Sequence, residues 1–407
     1  MRKYLFVIIL SLFTLNCLYA QLSISGVLDS TVSMNIGAGD APVFSIGLEE
    51  YANLRFQAKL RDKATIYGAV NLLAAVGDYA ANAALMASKG NDNPLSFSAF
   101  IAGDNYIAAL ELERLYFRLH GERTDFDGGL MRIPFGFGQI WAPSDFLNPR
   151  NPLKPDARLR GALGAALSFY PMDEMKLLVF YSAPRNPFSS EGKGSFVGLS
   201  FDKHWNKVSI QSLYSYETPN GNQAFKSSYG IHRIGFSLKA DIEIGLYVDT
   251  LYTYNHEART EWDGFSFSAG ADYSFVDGKL IVLAEYLYNG ATSSTAYGYG
   301  GNFSNNHYLY TGLTVRFNDF TSMNTTLISC FDDISFSALI SVSRDLFQGA
   351  TLTVSAQIPF DRDLFRKDGN RGELGPIPPD SLQALLPITG ERLGRYFNLT
   401  ARIRFKF

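Results

Sequence analysis

The sequence predicts an all-β fold, a transmembrane antiparallel β-barrel of about eighteen strands with one external loop folded inward. Three observations lead there. The final stretch alternates throughout, with Arg395, Phe397, Leu399, Ala401, Ile403, Phe405 and Phe407 on one side and Tyr396, Asn398, Thr400, Arg402, Arg404 and Lys406 on the other. Successive side chains leave a strand on opposite faces, so this is a strand with an apolar outside and a cationic inside, long enough to cross a bilayer in a barrel. Although 46% of the chain is hydrophobic and 14% aromatic, no apolar run after the first twenty residues reaches the ~18 that a membrane helix needs. The connectors between alternating segments are themselves short and long in turn, as expected when the two ends of each hairpin lie on opposite sides of a membrane.

Taken in order, residues 1–20 read as a secretory signal peptide: Arg2 and Lys3, an apolar run from Tyr4 to Leu15, and Ala20 before a cut ahead of Gln21. Leu18 departs from the small residue such a site prefers. Cys17 raises lipoprotein processing as a rival, which Thr14, Leu15 and Asn16 match poorly. Residues 21–407 then form one barrel domain. Strand one covers 22–36 and leads into a Gly- and Asp-rich loop, 37–49. The second, 50–61, sets Leu54, Phe56, Ala58 and Leu60 against Arg55, Gln57, Lys59 and Arg61. Asp62 turns the chain into the third, 64–73, and a long connector, 74–106, has room for a short helix around 79–88. Strands 107–120 and 124–132 flank Gly121 to Arg123.

After a loop at 133–156, the next strand, 157–170, opposes Leu159, Leu163, Leu167 and Phe169 to Arg158, Arg160 and Ser168. Further pairs turn at 171–173, at 202–206 with Trp205 as an interface anchor, at 240–242 and at 276–278. A strand at 306–317 follows, and the connector 331–333 is the one external loop that comes out short. The segment 350–358 alternates Ala350, Leu352, Val354, Ala356 and Ile358 with Thr351, Thr353, Ser355 and Gln357. Eighteen is even, as required when both ends lie on one side; one misread hairpin would make it sixteen. Either ring is too wide for side chains to fill, which leaves an aqueous lumen.

The C-terminal strand, alternating and closing on Phe405 and Phe407, resembles the assembly signal of bacterial outer-membrane β-barrels. That resemblance implies insertion by the barrel assembly machinery and closure of the seam against the first strand. The loop after residue 132 carries Pro134, Phe135, Gly136, Phe137, Gly138, Gln139, Ile140 and Trp141, then Ala142, Pro143, Ser144, Asp145, Phe146, Leu147, Asn148 and Pro149. Such an apolar, Pro-stiffened segment should pack on the barrel wall rather than hang in water. As the third external loop it is similar to the inward-folding third loop of bacterial porins, which implies that it narrows the pore.

Cations gather there: Arg132 before the loop, Arg150 and Lys154 within it, Arg158 and Arg160 after it, with Arg55, Lys59, Arg61, Arg402, Arg404 and Lys406 on neighbouring lumen faces. With Trp141 and Asp145 they are the candidate constriction and selectivity residues, and in a narrow pore their field favours anions. The alternative is a balanced lattice in which they pair with Glu111, Glu113, Asp145, Asp249 and Glu285.

Other chemistry is poorly represented. Cleavage leaves only Cys330, the five His lack metal-like spacing, and Gly298 to Gly301 precede no Lys-Ser/Thr, so neither metal nor cofactor is expected. No Gly-x-Ser-x-Gly elbow is present, so the chain reads as a non-enzyme, and a net charge of −3 gives no general nucleic-acid surface. The expected partners are outer-membrane lipid, small hydrophilic solutes with anions favoured, and the assembly machinery. The outer faces read as equally apolar, leaving a homotrimer open. The competing function is a surface-structural or adhesive barrel that binds partners through long external loops.

Overall fold

The computed structural model describes residues 21–37, 44–61, 63–77, 98–103, 105–148, 161–183, 194–218, 230–255, 264–290, 306–332, 334–360 and 396–407. Its strands are β1 (Gln21–Gly37), β2 (Phe44–Leu60), β3 (Ala64–Val76), β4 (Ser98–Ala102), β5 (Tyr106–His120), β6 (Thr124–Met131), β7 (Ala162–Met172), β8 (Met175–Ser182), β9 (Phe196–Trp205) and β10 (Val208–Glu217). They continue as β11 (Ile231–Asp241), β12 (Gly245–Asn255), β13 (Phe265–Phe275), β14 (Leu280–Asn289), β15 (His307–Asn318), β16 (Thr321–Cys330), β17 (Ser335–Phe347), β18 (Ala350–Phe360) and β19 (Tyr396–Lys406). All nineteen belong to one antiparallel sheet, and eighteen of them close the ring.

The seam joins β19 to β1, from Lys406 opposite Val27 to Tyr396 opposite Gly37. Beyond the last strand pair, Gly26 N–H donates to the Phe407 carbonyl at 2.8 Å and Phe407 N–H returns to Gly26 O at 3.2 Å. A side chain on Gly26 would run into the Phe407 ring, so the chain end and this glycine fit together on the outer face. Ring closure leaves no free edge, which is what a sheet in lipid requires.

Alternation sorts the faces. Leu22, Ile24, Leu28, Val32, Leu54, Leu72, Leu167, Val179, Leu199, Ile234, Val282, Val354 and Ile403 are exposed on the outside. Their neighbours one residue away, such as Asp29, Asn53, Asn71, Ser168 and Ser200, are buried on the inside. An apolar exterior over a polar interior is the solvent preference of a bilayer-spanning barrel.

Three elements differ from the sequence reading. The first hairpin is taller, because β2 begins at Phe44 rather than 50 and pairs with β1 up to Ile36. A Gly- and Asp-rich loop at its tip masked six alternating residues. The connector after β3 contains β4, which pairs with Ile107 to Glu111 of β5. On that edge of β5 the neighbour β6 reaches only Leu115, because the chain then leaves the wall, and β4 takes the vacated backbone partners. Arg61, expected on the lumen face, sits in the turn after β2 with φ of 53°. The helix expected around 79–88 lies outside the described residues.

Candidate functional site

After Met131 the chain turns inward, and residues 132–148 run along the inner face of the barrel. Two forces hold them there. The first is apolar. Ile133, Phe135, Phe146 and Leu147 form one buried cluster with Ala166 of β7, Leu178 and Phe180 of β8, Phe196 of β9, Leu213 of β10 and Leu251 of β12. Further on, Trp141 packs with Leu287 of β14, Tyr308 and Tyr310 of β15, and Ile328 and Cys330 of β16. Trp141 has no exposed surface; its ring lies 6.5 Å from Tyr308 and 6.3 Å from Tyr310. Each such aromatic contributes about 1.5–3 kcal/mol by leaving water.

The second force is a set of wall carboxylates that accept from the loop backbone. Glu285 on β14 takes the N–H groups of Gln139, Ile140 and Trp141 at 3.2, 2.9 and 2.8 Å, and the Tyr247 hydroxyl at 2.9 Å. Asp249 on β12 takes Ser144 N–H at 3.1 Å and the Ser144 hydroxyl at 3.0 Å. The Gln211 side-chain oxygen accepts from Gly136 N–H at 2.6 Å, and the Ser268 hydroxyl donates to Trp141 O at 2.9 Å. A loop inside a barrel has no strand to pair with, so its backbone groups need such partners. Gly136 and Gly138 permit the approach: Gly136 has φ of 79°, and a Cβ there would strike the Asp249 carboxylate.

Within the loop, Asp145 accepts from Phe135 N–H at 3.4 Å and faces Arg132 at 3.5 Å, while Asn148 accepts from Ile133 N–H at 3.1 Å. Trp141 and Asp145 are therefore buried anchors, and the surface offered to the lumen comes from other residues. Arg150, Lys154, Arg158 and Arg160 lie outside the described residues. Of the balanced lattice, the pair of Asp145 with Arg132 is formed, while Glu113 faces Arg114, a residue outside the candidate set. Asp249 and Glu285, by contrast, serve the loop backbone.

Away from the loop the inner wall is polar. Arg55 donates to the Asn53 side chain at 2.7 Å, and Asn53 donates to Asn71 at 2.6 Å and to Glu113 at 2.8 Å. Arg404 clasps Asp29 with two bonds of 2.7 Å across the seam. Arg402 projects from the same face of β19 two residues before it, and Lys406 two residues after. Among the described residues Arg55, Lys59 and Lys406 make no ion pair. Gln211 was missed by sequence reasoning, and Asp249 and Glu285, named there as partners for lumen arginines, hold the loop backbone instead. One signal was available, since β8 reads Met-Lys-Leu-Leu-Val-Phe-Tyr-Ser and sets Leu178 and Phe180 on its inner face, and apolar side chains inside a wet barrel must be covered from inside.

This architecture can be set beside solved structures. OccAB4 of Acinetobacter baumannii superimposes over 95% of this chain and 98% of its own, with a TM-score of 0.54 at 10% identity. A BenF-like porin from Pseudomonas fluorescens Pf-5 gives 0.55 at 10% identity, over 95% and 98% of the two chains. The fold is that of the bacterial outer-membrane porins. OccK2 of Pseudomonas aeruginosa, solved in complex with glucuronate, matches over 95% and 96% with a TM-score of 0.52 at 9% identity. No family model and no curated protein matches the sequence. With this fold, the apolar outer band suits a barrel that spans a bilayer.

Proposed function

We propose that the protein is a porin-like channel for passive diffusion of small hydrophilic solutes, anion-preferring, and constricted by the inward-folded third external loop. The observation that carries this reading is the attachment of residues 133–148 to the inner wall through Glu285 and Asp249, which sets a fixed obstacle beside a polar, water-compatible lumen. Anion preference is supported by the lumen cations: Arg55, Lys59 and Lys406 lack carboxylate partners among the described residues. Fixed positive charge in a low-dielectric pore raises the local anion concentration. In this reading residues 1–20 direct export, and Phe405 and Phe407 present the closing strand to the assembly machinery.

The test is conductance of the purified barrel in planar bilayers. Stepwise currents are expected, with a reversal potential in a salt gradient that reports anion preference. Neutralising Arg150, Lys154, Arg158 and Arg160 together should reduce that preference. Absence of any current ends the channel reading, and unchanged selectivity in the quadruple variant ends its electrostatic part. The adhesive alternative draws on the loops 74–106 and 359–392, most of which lie outside the described residues.

A further inference from the structure

The outer wall between β1 and β5 holds a charge where a bilayer-facing surface ordinarily has none. Glu50 shares the outward side of β2 with Phe44, Ile46, Leu48 and Leu54, all exposed and apolar. Opposite it on β1 is Ser30, whose hydroxyl donates to Glu50 Oε2 at 2.6 Å. Among the described residues no cation pairs with this carboxylate. At the outward positions of the described strands it is the sole acid. A carboxylate facing lipid carries a desolvation cost that the apolar wall around it does not offset.

Cross-strand register builds a trough beside it. Along one row Glu50 stands opposite Ala74 of β3, Ala74 opposite Ala108 of β5, and Ala108 opposite Ile101 of β4. Glu50 and Ile101 thus close the two ends of an alanine floor, about 14 Å apart at three strand spacings. Leu72 and Leu110 bound it toward the turns. The groove encloses about 440 Å³ and, Glu50 apart, its lining is largely apolar.

Shape and charge together select the occupant. Lipid tails are as apolar as the alanine floor, so an apolar body alone gains little by displacing them. A cation does gain, because its attraction to Glu50 is weakly screened in a medium of low dielectric. A second copy of the chain does not bring one. The outward cations of the described strands, Lys203 and Arg344, sit toward the turn ends of β9 and β17, whereas Glu50 lies toward the loop end of β2. Copies inserted the same way up keep those cations at another depth. The volume is that of a small-molecule site and holds a single ring on a short chain.

We propose that this trough binds a small amphiphilic amine from the lipid side, its ammonium on Glu50 and Ser30 and its apolar body over Ala74 and Ala108. The test is fluorine NMR of a para-fluorinated phenylbutylamine titrated into the full folded chain in non-ionic micelles. Saturable binding is expected for the amine and none for the matching alcohol, a comparison that needs no variant. Glu50→Gln should weaken binding about tenfold or more. The double variant Ala74→Leu with Ala108→Leu fills the floor, keeps the acid, and should weaken it as much, both barrels retaining wild-type heat-modifiable gel mobility. Equal binding of the alcohol, or undiminished affinity in either folded variant, overturns the proposal, since the amine would then sit in the lumen or the micelle. Phosphatidylethanolamine added to the micelles should not compete; if it displaces the amine, the site belongs to a bilayer lipid and the assignment fails.

Discussion

The inner wall of the barrel has two halves built on opposite rules. From β7 to β16 its inward side chains include Leu178, Phe180, Leu213, Leu251, Leu287 and Ile328, all buried beneath the folded loop. From β18 through the seam to β5 they include Thr353, Ser355, Arg402, Arg404, Asp29, Asn53, Arg55, Asn71 and Glu111, a mainly polar surface broken by Ala75 and Ile107, with no loop upon it among the described residues. The loop thus lies where the wall is greasy, and the polar half is left uncovered among the described residues. Position follows from solubility: a segment rich in Phe, Trp and Pro leaves water by covering apolar ground inside the barrel.

The largest test of this contrast is to remove the acceptor that ties the loop's tip to the far wall. In Glu285→Ala three backbone N–H groups and the Tyr247 hydroxyl lose their partner together. At about 1–3 kcal/mol for each orphaned group, the docked loop should give way by more than about 4 kcal/mol. The expected outcome is the largest rise in single-channel conductance of any variant considered, with the barrel still folded by heat-modifiable gel mobility. Glu285→Gln retains one acceptor oxygen and should fall between. Wild-type conductance in both would mean that the loop does not limit the pore.

Trp141→Ala attacks the apolar contribution instead. Truncating a buried Trp costs about 3–5 kcal/mol, yet the carboxylate bonds survive, so the loop should loosen without leaving. A noisier open channel of modestly higher conductance is expected, read from current variance. If its conductance exceeded that of Glu285→Ala, the apolar face rather than the carboxylates would dominate attachment.

The two halves were unequally legible in the sequence. Most strands lie within a few residues of their expected bounds, because period-two alternation is local. The aromatic and Pro-rich composition of 133–149 likewise announced a loop that packs. What it packs on could not be read locally: Glu285 is 144 positions from Trp141, and a buried acid in an alternating strand looks like any lumen residue. The cations show the same limit. Alternation placed Arg402 and Arg404 inside, but only the seam register brings Arg404 to Asp29, 375 positions away. Arg61 continued the pattern of β2 on paper, and the turn took it out of the strand.

That seam pair gives a test on the bare half. Asp29→Asn removes the carboxylate that Arg404 holds in a bidentate grip, half of a pair partly shielded from solvent. Charge-assisted bonds of this kind contribute about 1.5–3 kcal/mol, so the barrel should unfold at a lower temperature or denaturant concentration. Freed guanidinium charge should at the same time push the reversal potential further toward anions. Lower stability with unchanged selectivity would place Arg404 out of reach of the solute path.

The smallest expected effect separates charge from architecture. Arg55 and Lys59 stand on the lumen face of β2 and make no ion pair among the described residues, so replacing both by Gln removes field without orphaning a carboxylate. Substitutions of this kind move stability by no more than about 0.5 kcal/mol. The double variant should therefore melt like the wild type and conduct similarly while its reversal potential drifts toward cations, an effect that high salt erases within a Debye length of about 3 Å at 1 M. A salt-independent drift would point to altered pore shape, and no drift at low salt would mean that anion preference is set on the loop side of the lumen.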